Sequence, residues 1–214
     1  MLVLSSPSGG GKSTIARHLM DAREDVTYSV SATTRPIRAG EKDGVDYDFL
    51  DRPEFERRVA AGEFLEWATY SGNLYGTLRA EVERGLAAGR HVVLDIEVQG
   101  ARQLRGRFAN AVHVFILPPS SGELVQRLTA RKTETSETLI RRLDHAAVEL
   151  AAASEYEYLV VNDDLVEAVS QVAAILDVES RRVRRIPNLD AVVDKLRRDL
   201  EQEKARMVAA GDKE

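Results

Sequence analysis

The chain has no cysteine. That excludes disulfides and thiolate metal sites and is compatible with a reducing interior. It has no basic excess either. A formal net charge of −5 argues against a broad nucleic-acid surface, which needs clustered positive charge, and leaves room only for a local basic pocket. No apolar run approaches the ~18 residues of a membrane span, and the opening Met1–Leu4 run is far too short for a signal peptide. The histidines, His18, His91, His113 and His145, are scattered without metal-ligand spacing; each is expected to be an ordinary surface or core residue. No internal repeat or low-complexity tract is present. These absences predict a cytoplasmic protein that binds neither nucleic acid nor membrane.

What is present suits a chain that buries a real core. Its 214 residues, 43% hydrophobic and 30% charged, allow one sizeable domain with small inserted lobes. Leu2-Val3-Leu4 reads as a short buried strand. It runs through a glycine-rich stretch into "KSTIARHLMDARE", where Ile15, Leu19 and Met20 share a helical face. Three further apolar runs, "HVVLDIEV", "AVHVFILPP" and "YEYLVVNDD", alternate with helical segments. Continuous apolar strands alternating with helices predict a parallel sheet covered on both faces. The stretch 31–84 breaks this rhythm with polar turns and short alternating runs, which predicts an inserted β-rich lobe. Thr129 to Arg142 is polar and charged and reads as a flap. Near the end, Leu189, Val192, Val193, Leu196 and Leu200 share a helical face, which leaves a homo-oligomer through this C-terminal helix open, before a charged tail.

"SSPSGGGKST", Ser5 to Thr14, carries the chemistry. A phosphate-binding loop needs backbone N–H groups turned inward at a helix start, with no Cβ in the way. Gly9, Gly10 and Gly11 supply such positions, Lys12 a cation for the β- and γ-phosphates, and Ser13 a hydroxyl for Mg²⁺. The usual pattern is G-x-x-x-x-G-K-[ST], and Ser6 stands where the first Gly belongs. Pro7 biases Ser6 towards extended backbone, so Ser6 is tolerable if its φ is negative. A phosphate loop alone names no reaction.

The acceptor side is more specific. "SVSATTRPIRAGEKDGVDYDF", "GEFLEWATYSGNLYGT", "VVLDIEVQGA", "FILPP", "RLTARKTETSETLIRRL" and "VVNDDL" occur in the order found in guanylate kinases, and the chain resembles that family from the loop to about Asp177. The resemblance implies a phosphate-loop nucleoside monophosphate kinase fold: an α/β core with a five-stranded parallel sheet and helices on both faces (1–30, 85–130 and 143–180), a GMP-binding lobe (31–84), a helical lid (131–142), and a C-terminal helix and tail (181–214). It implies transfer of the γ-phosphoryl of ATP to GMP with Mg²⁺. No residue was found that would read the ribose 2′-OH, so dGMP is expected to serve too.

By the same resemblance, Ser8, Gly9, Gly10, Gly11, Lys12, Ser13 and Thr14 hold ATP, Ser13 also serves the metal, and Asn162 contacts the ATP base. Ser31, Arg35, Arg38 and Tyr47 surround the GMP phosphate, where the planar fork of Arg bonds phosphate oxygens in pairs. Pro36 comes one place earlier than the family's T-R-x-P-R. Glu66 accepts from guanine N1–H and the 2-amino group, whereas adenine would face it lone pair to lone pair. Thr77 donates towards O6, and Tyr75 lines the same pocket. Asp95 orients Mg²⁺ waters or the pocket arginines, and Glu97 stands where Asp is more frequent. Trp67 is expected in the lobe core. Lys12, Arg35, Arg131 and Arg142 are the expected catalytic cations, the last two closing with the lid over the transferring group; Lys132 replaces a Gly there. The alternative is a catalytically inactive guanylate-kinase-like module that binds phosphopeptides, which generally lacks an intact phosphate loop. A kinase for AMP or UMP would need a pocket without Glu66.

Overall fold

The structure, a computed structural model, describes residues 1–129 and 136–211. Strand β1 (Leu2–Ser5) passes through the glycine loop into α1 (Lys12–Ala22), and β2 (Val26–Tyr28) follows. Then come β3 (Ser31–Thr33), β4 (Asp48–Phe49), α2 (Arg52–Ala60), β5 (Phe64–Tyr70), β6 (Asn73–Leu78) and α3 (Arg79–Ala87). The chain continues through β7 (His91–Asp95), α4 (Val98–Leu104), β8 (Val112–Leu117) and α5 (Ser121–Thr129). It ends with α6 (Ser136–Ala151), β9 (Tyr158–Val161), α7 (Leu165–Ser180) and α8 (Leu189–Gly211). Residues 130–135, with the expected Arg131 and Lys132 of the lid, lie outside the described residues.

The expected parallel sheet is present. Its order is β2-β7-β1-β8-β9, and every neighbouring pair is parallel. The central strand shows why its sequence is an unbroken apolar run. Leu2 and Leu4 pack with Ile15 and Leu19 of α1 and Val172 of α7. Val3 points the other way, among Val82 of α3 and Ala101 and Leu104 of α4. With both faces covered, no polar alternation is tolerated, and each such side chain contributes about 1.5–3 kcal/mol by leaving water. Because the strands are parallel, their carboxyl ends share one edge. There β1 gives way to the glycine loop, β7 ends at Asp95 and β9 is followed by Asn162.

The stretch 31–84 supplies a second, four-stranded sheet of order β4-β3-β6-β5. Its own small core stacks Phe55 of α2 on Phe64 at 4.4 Å, beside Ala32, Leu74 and Leu78. Helix α2 starts cleanly because the Asp51 side chain accepts the Glu54 N–H at 2.8 Å, a cap that satisfies an otherwise orphan donor. The pairing of β5 with β6 slips between Phe64 and Glu66, so Leu65 is an extra residue. This bulge buries Phe64, Leu65 and Glu66 in a row and corrects one expectation: Trp67 is not lobe core but 41% exposed. Alternation resumes after the bulge with Glu66 inward, which turns Trp67 out.

Asp177–Glu214 forms a separate compact unit. Within it Glu179 is buried and forms ion pairs with Arg182 at 2.7 Å and Arg185 at 2.8 Å. The apolar stripe of α8 is exposed at Val192, Leu196 and Leu200. No described helix is long and apolar enough to cross a membrane.

Leu4→Ala is expected to destabilise the protein by about 2–5 kcal/mol through the cavity it leaves, read by urea denaturation. Leu196→Ala on α8 should stay within about 0.5 kcal/mol in the same experiment.

Candidate active site

The glycine loop is held open around the start of α1. Gly9 and Gly11 have φ of 85° and 94°, a left-handed backbone that glycine adopts without strain. A Cβ at Gly10 would stand 2.7 Å from the Ser6 Cβ, so that position also excludes a side chain. Among the described non-glycine residues only Ser71 and Asn188 have positive φ. Ser6 therefore takes the place of the usual first glycine without strain, and its hydroxyl donates to the Pro7 carbonyl at 2.9 Å. Unlike α2, helix α1 has no side-chain cap and no acid in its first turn, which leaves its N–H groups and positive dipole end available to an anion.

One cavity of about 710 Å³ is lined by this loop at one end and by the inserted lobe at the other. Ser8, Gly9, Gly11, Lys12, Ser13 and Thr14 border it, as do Ser31, Arg35, Arg38, Tyr47, Glu66, Tyr75, Asp95, Glu97 and Asn162. The fold thus brings together most of the residues expected from the sequence. Thr77 is wholly buried behind Glu66, and Arg142 reaches the loop instead, donating to Ser8 Oγ at 3.2 Å and to the Leu128 carbonyl at 3.1 Å.

Acids surround the lysine. Lys12 Nζ lies 3.4 Å from Asp95 Oδ1 and 3.4 Å from Glu97 Oε1, and the Ser13 hydroxyl donates to Asp95 Oδ2. Burial opposes the charge of Lys12, but Glu97, Asp95 and Glu149 outweigh it and raise its pKa well above the ordinary value. Burial acts on Glu97 too, yet Lys12 wins there and holds its carboxyl below the usual range. The extra methylene of Glu97, relative to Asp, is used to reach Lys12.

Glu66 is 4% exposed. Burial pushes its pKa up to about 7, against the stabilising hydrogen bond from Thr77. The Thr77 hydroxyl donates to Glu66 Oε1 at 2.6 Å, so in this state it orients the carboxylate. Room for that carboxylate comes from Gly100 of α4, where any Cβ would overlap Glu66 Oε2.

Of the two expected lobe arginines, Arg35 is already paired. Arg35 grips Glu41 with two bonds of 3.0 and 2.8 Å, donates to the Pro36 carbonyl at 2.7 Å, and lies over the Tyr47 ring at 5.3 Å. The early Pro36 therefore serves as an acceptor for the arginine beside it. Arg38 is exposed and lends its backbone N–H to the same Glu41 at 2.8 Å. Asn162 Nδ2 donates to the Gly10 carbonyl at 2.9 Å, bracing the loop from the end of β9. Sequence reasoning passed over Glu41, Tyr70 and Glu149, which all reach this site. Glu149 lies two helical turns beyond Arg142 and so shares its face of the helix, which by itself does not mark it out.

A parallel α/β sheet, a glycine loop entering an uncapped helix, and a mixed-sheet lobe on the same cavity define a nucleoside monophosphate kinase of the phosphate-loop type. The family model described as guanylate kinase matches residues 1–179. A guanylate kinase of Rhodopseudomonas palustris (strain HaA2) is 49% identical over 203 residues, covering 94% of this chain and 92% of its own. That of Symbiobacterium thermophilum is 48% identical over 185 residues, covering 86% of this chain and 88% of its own. The crystal structure of guanylate kinase from Anaplasma phagocytophilum matches with a TM-score of 0.75 at 35% identity, covering 91% of this chain and 93% of that one. The chain belongs to the guanylate kinase family.

Glu66 also sets a stability test. Its carboxyl is held near 7 in the folded protein against 4.5 ordinarily. An acid with a raised folded pKa contributes stability at low pH that is lost as pH rises through the folded value. Glu66→Gln should therefore match the wild type below about pH 4.5 and be more stable above about pH 7, by up to about 3 kcal/mol. Denaturant unfolding of the nucleotide-free proteins at acid and alkaline pH checks this.

Proposed function

We propose that the protein transfers the γ-phosphoryl group of ATP to GMP, giving ADP and GDP, as a cytoplasmic enzyme of guanine nucleotide supply, with dGMP as a second acceptor. The observation that carries this reading is the single cavity bordered by Lys12 and Ser13 at one end and by Glu66 with Arg35 at the other. A phosphate donor and a guanine acceptor can meet there without crossing solvent.

In this reading the uncapped start of α1, with Ser8 to Thr14, receives the ATP phosphates, and Lys12 follows their charge. Asn162 acts by fixing the loop carbonyl at Gly10 rather than by reading a base. The site's hard oxygen chemistry, the Ser13 hydroxyl coupled to the Asp95 carboxylate, fits a magnesium ion; Ser13 would hold it and Asp95 would orient it from behind. Magnesium, when bound with ATP, neutralises charge on the phosphate oxygens. The lobe 31–84 is the acceptor side. Ionised Glu66 accepts from N1–H and the 2-amino group of guanine, with Thr77 keeping the carboxylate in place and Tyr75 beside it. Glu97 stands at the amino edge.

The GMP phosphate exchanges places with Glu41 on Arg35, joined by Ser31, Arg38 and Tyr47. Arg142, with Arg131 of the segment 131–142 acting as lid, gathers charge around the group in flight. No protein nucleophile is required, because phosphoryl transfer is mainly positioning and charge stabilisation.

ADP formation from MgATP, with GMP, AMP, UMP and CMP each offered as acceptor, tests the reading. Turnover is expected with GMP alone. Glu66→Gln, which turns a donor towards guanine's donors, should lower kcat/KM for GMP by about 10²-fold or more. Turnover of another monophosphate in preference to GMP would overturn the pocket assignment. Because Glu66 must be ionised, KM for GMP should rise about tenfold per pH unit below about 7. Gly100→Ala, which pushes Glu66 into the pocket, should raise KM for GMP by about tenfold or more while leaving the affinity for ATP near that of the wild type.

A further inference from the structure

Helix α6 brings more than Arg142 to the site. Arg142, His145 and Glu149 stand at i, i+3 and i+7, on one stripe of the helix. The His145 ring lies 5.7 Å from that of Tyr70. Glu149 Oε2 accepts the backbone N–H of Ser8, inside the phosphate loop, at 3.0 Å. Glu149 is only 8% exposed, and nothing in the reaction as described so far uses it.

Its other neighbour is an acid. The Glu149 and Glu97 carboxyls act directly on each other. Glu97 gives Oε1 to Lys12 at 3.4 Å. Its Oε2 is buried and meets no hydrogen-bond donor among the described residues. Ionised carboxylates are acceptors only, and two of them cannot share a buried contact. A neutral acid resolves both problems: one oxygen receives Ser8 N–H, and the O–H serves Glu97.

We propose that Glu149 is a positioning residue that works as a neutral carboxylic acid, tying the phosphate loop at Ser8 to Glu97 and, through Glu97, to Lys12. This rests on the function proposed above. The charged and titratable groups that face the pair are Lys12 of α1, Glu66 and Tyr70 of β5, and Arg142 and His145 of α6 itself. Burial, then the hydrogen bond and charge of Glu97, push the Glu149 carboxyl up to about 9, against the pull of Ser8 N–H and Lys12. The pair thus presents one negative charge to Lys12 rather than two, and Lys12 keeps the strength to hold phosphate. The same contact couples the loop to α6, the helix that carries Arg142 at the end of the expected lid.

The test compares the full-length wild type with Glu149→Gln and Glu149→Leu. Gln reproduces the neutral acid, with an oxygen for Ser8 and an N–H for Glu97; Leu supplies neither. ADP formation with GMP is followed from about pH 6 to about pH 10, and the melting temperature of the nucleotide-free proteins over the same range. Glu149→Leu should lose about 10²-fold in kcat, and Glu149→Gln should recover most of it. Wild-type kcat should fall as pH rises through about 9, and the Gln variant should lack that fall. For stability, the raised acid contributes less as pH rises towards its folded pKa, so wild-type Tm should drop increasingly below that of the Gln variant up to about pH 9 and then level off.

A Gln variant as impaired as Leu, a Leu variant as active as the wild type, or parallel pH profiles for wild type and Gln would each overturn the proposal. If the Leu variant does not fold, the comparison of wild type with Gln still decides. The melting series contains no nucleotide. It therefore judges the neutral acid even if the wild type fails to phosphorylate GMP, a failure that would strike the proposed function instead.

Discussion

Lys12 has to remain charged in a place where burial works against it. Most of the site follows from that requirement. A buried ammonium without partners would shed its proton, so two acids are brought to it from two different elements: Asp95 from the end of β7 and Glu97 from the cap position of α4. Only a sheet whose strands all point the same way delivers such groups to one edge. The acids that keep Lys12 ionised also repel incoming phosphates, so their number and protonation must be limited. The same tension applies to Glu66, which sits so deep that burial brings it close to losing its charge.

The arginines around the cavity wall follow a related logic. Arg35 with Glu41, Arg17 with Asp46 and Arg127 with Glu123 each have an acid within 3.0 Å. A guanidinium as enclosed as that of Arg35 would be costly without a partner. Under the proposed function an arriving phosphate would compete with a carboxylate already bonded in the same bidentate way, and would meet an arginine already aimed.

The sequence made the contiguous features legible. The loop from Ser5 to Thr14 is local, and its glycines, lysine and hydroxyl carry their meaning in their order. Leu2 to Leu4 reads as a two-sided strand because nothing polar interrupts it, and Ala111 to Pro119 because only His113 does. Strand β2 has three residues, too short to leave a pattern, and it entered only through family resemblance. Glu149 looks like any polar residue on an amphipathic helix; its meaning depends on Ser8 and Glu97, distant in sequence. Trp67 was misplaced because the extra residue in its strand is apolar, so the bulge leaves no break in the pattern. Asn162 was expected to face the nucleotide base, and its amide is bonded to the loop instead.

That extra residue has a mechanical consequence. Phe64 belongs to the small lobe core, and its neighbour Leu65 to the main core with Val3 and Ile96. Gln103 of α4 brackets the Trp67 backbone, accepting from its N–H and donating to its carbonyl. The strand is thus riveted to both bodies within four residues, and sliding the lobe would tear one core or the other. Glu66, between Leu65 and Trp67, is thereby anchored in the one segment that both cores fix, whereas Gly40, in the loop between β3 and β4, stands in open space.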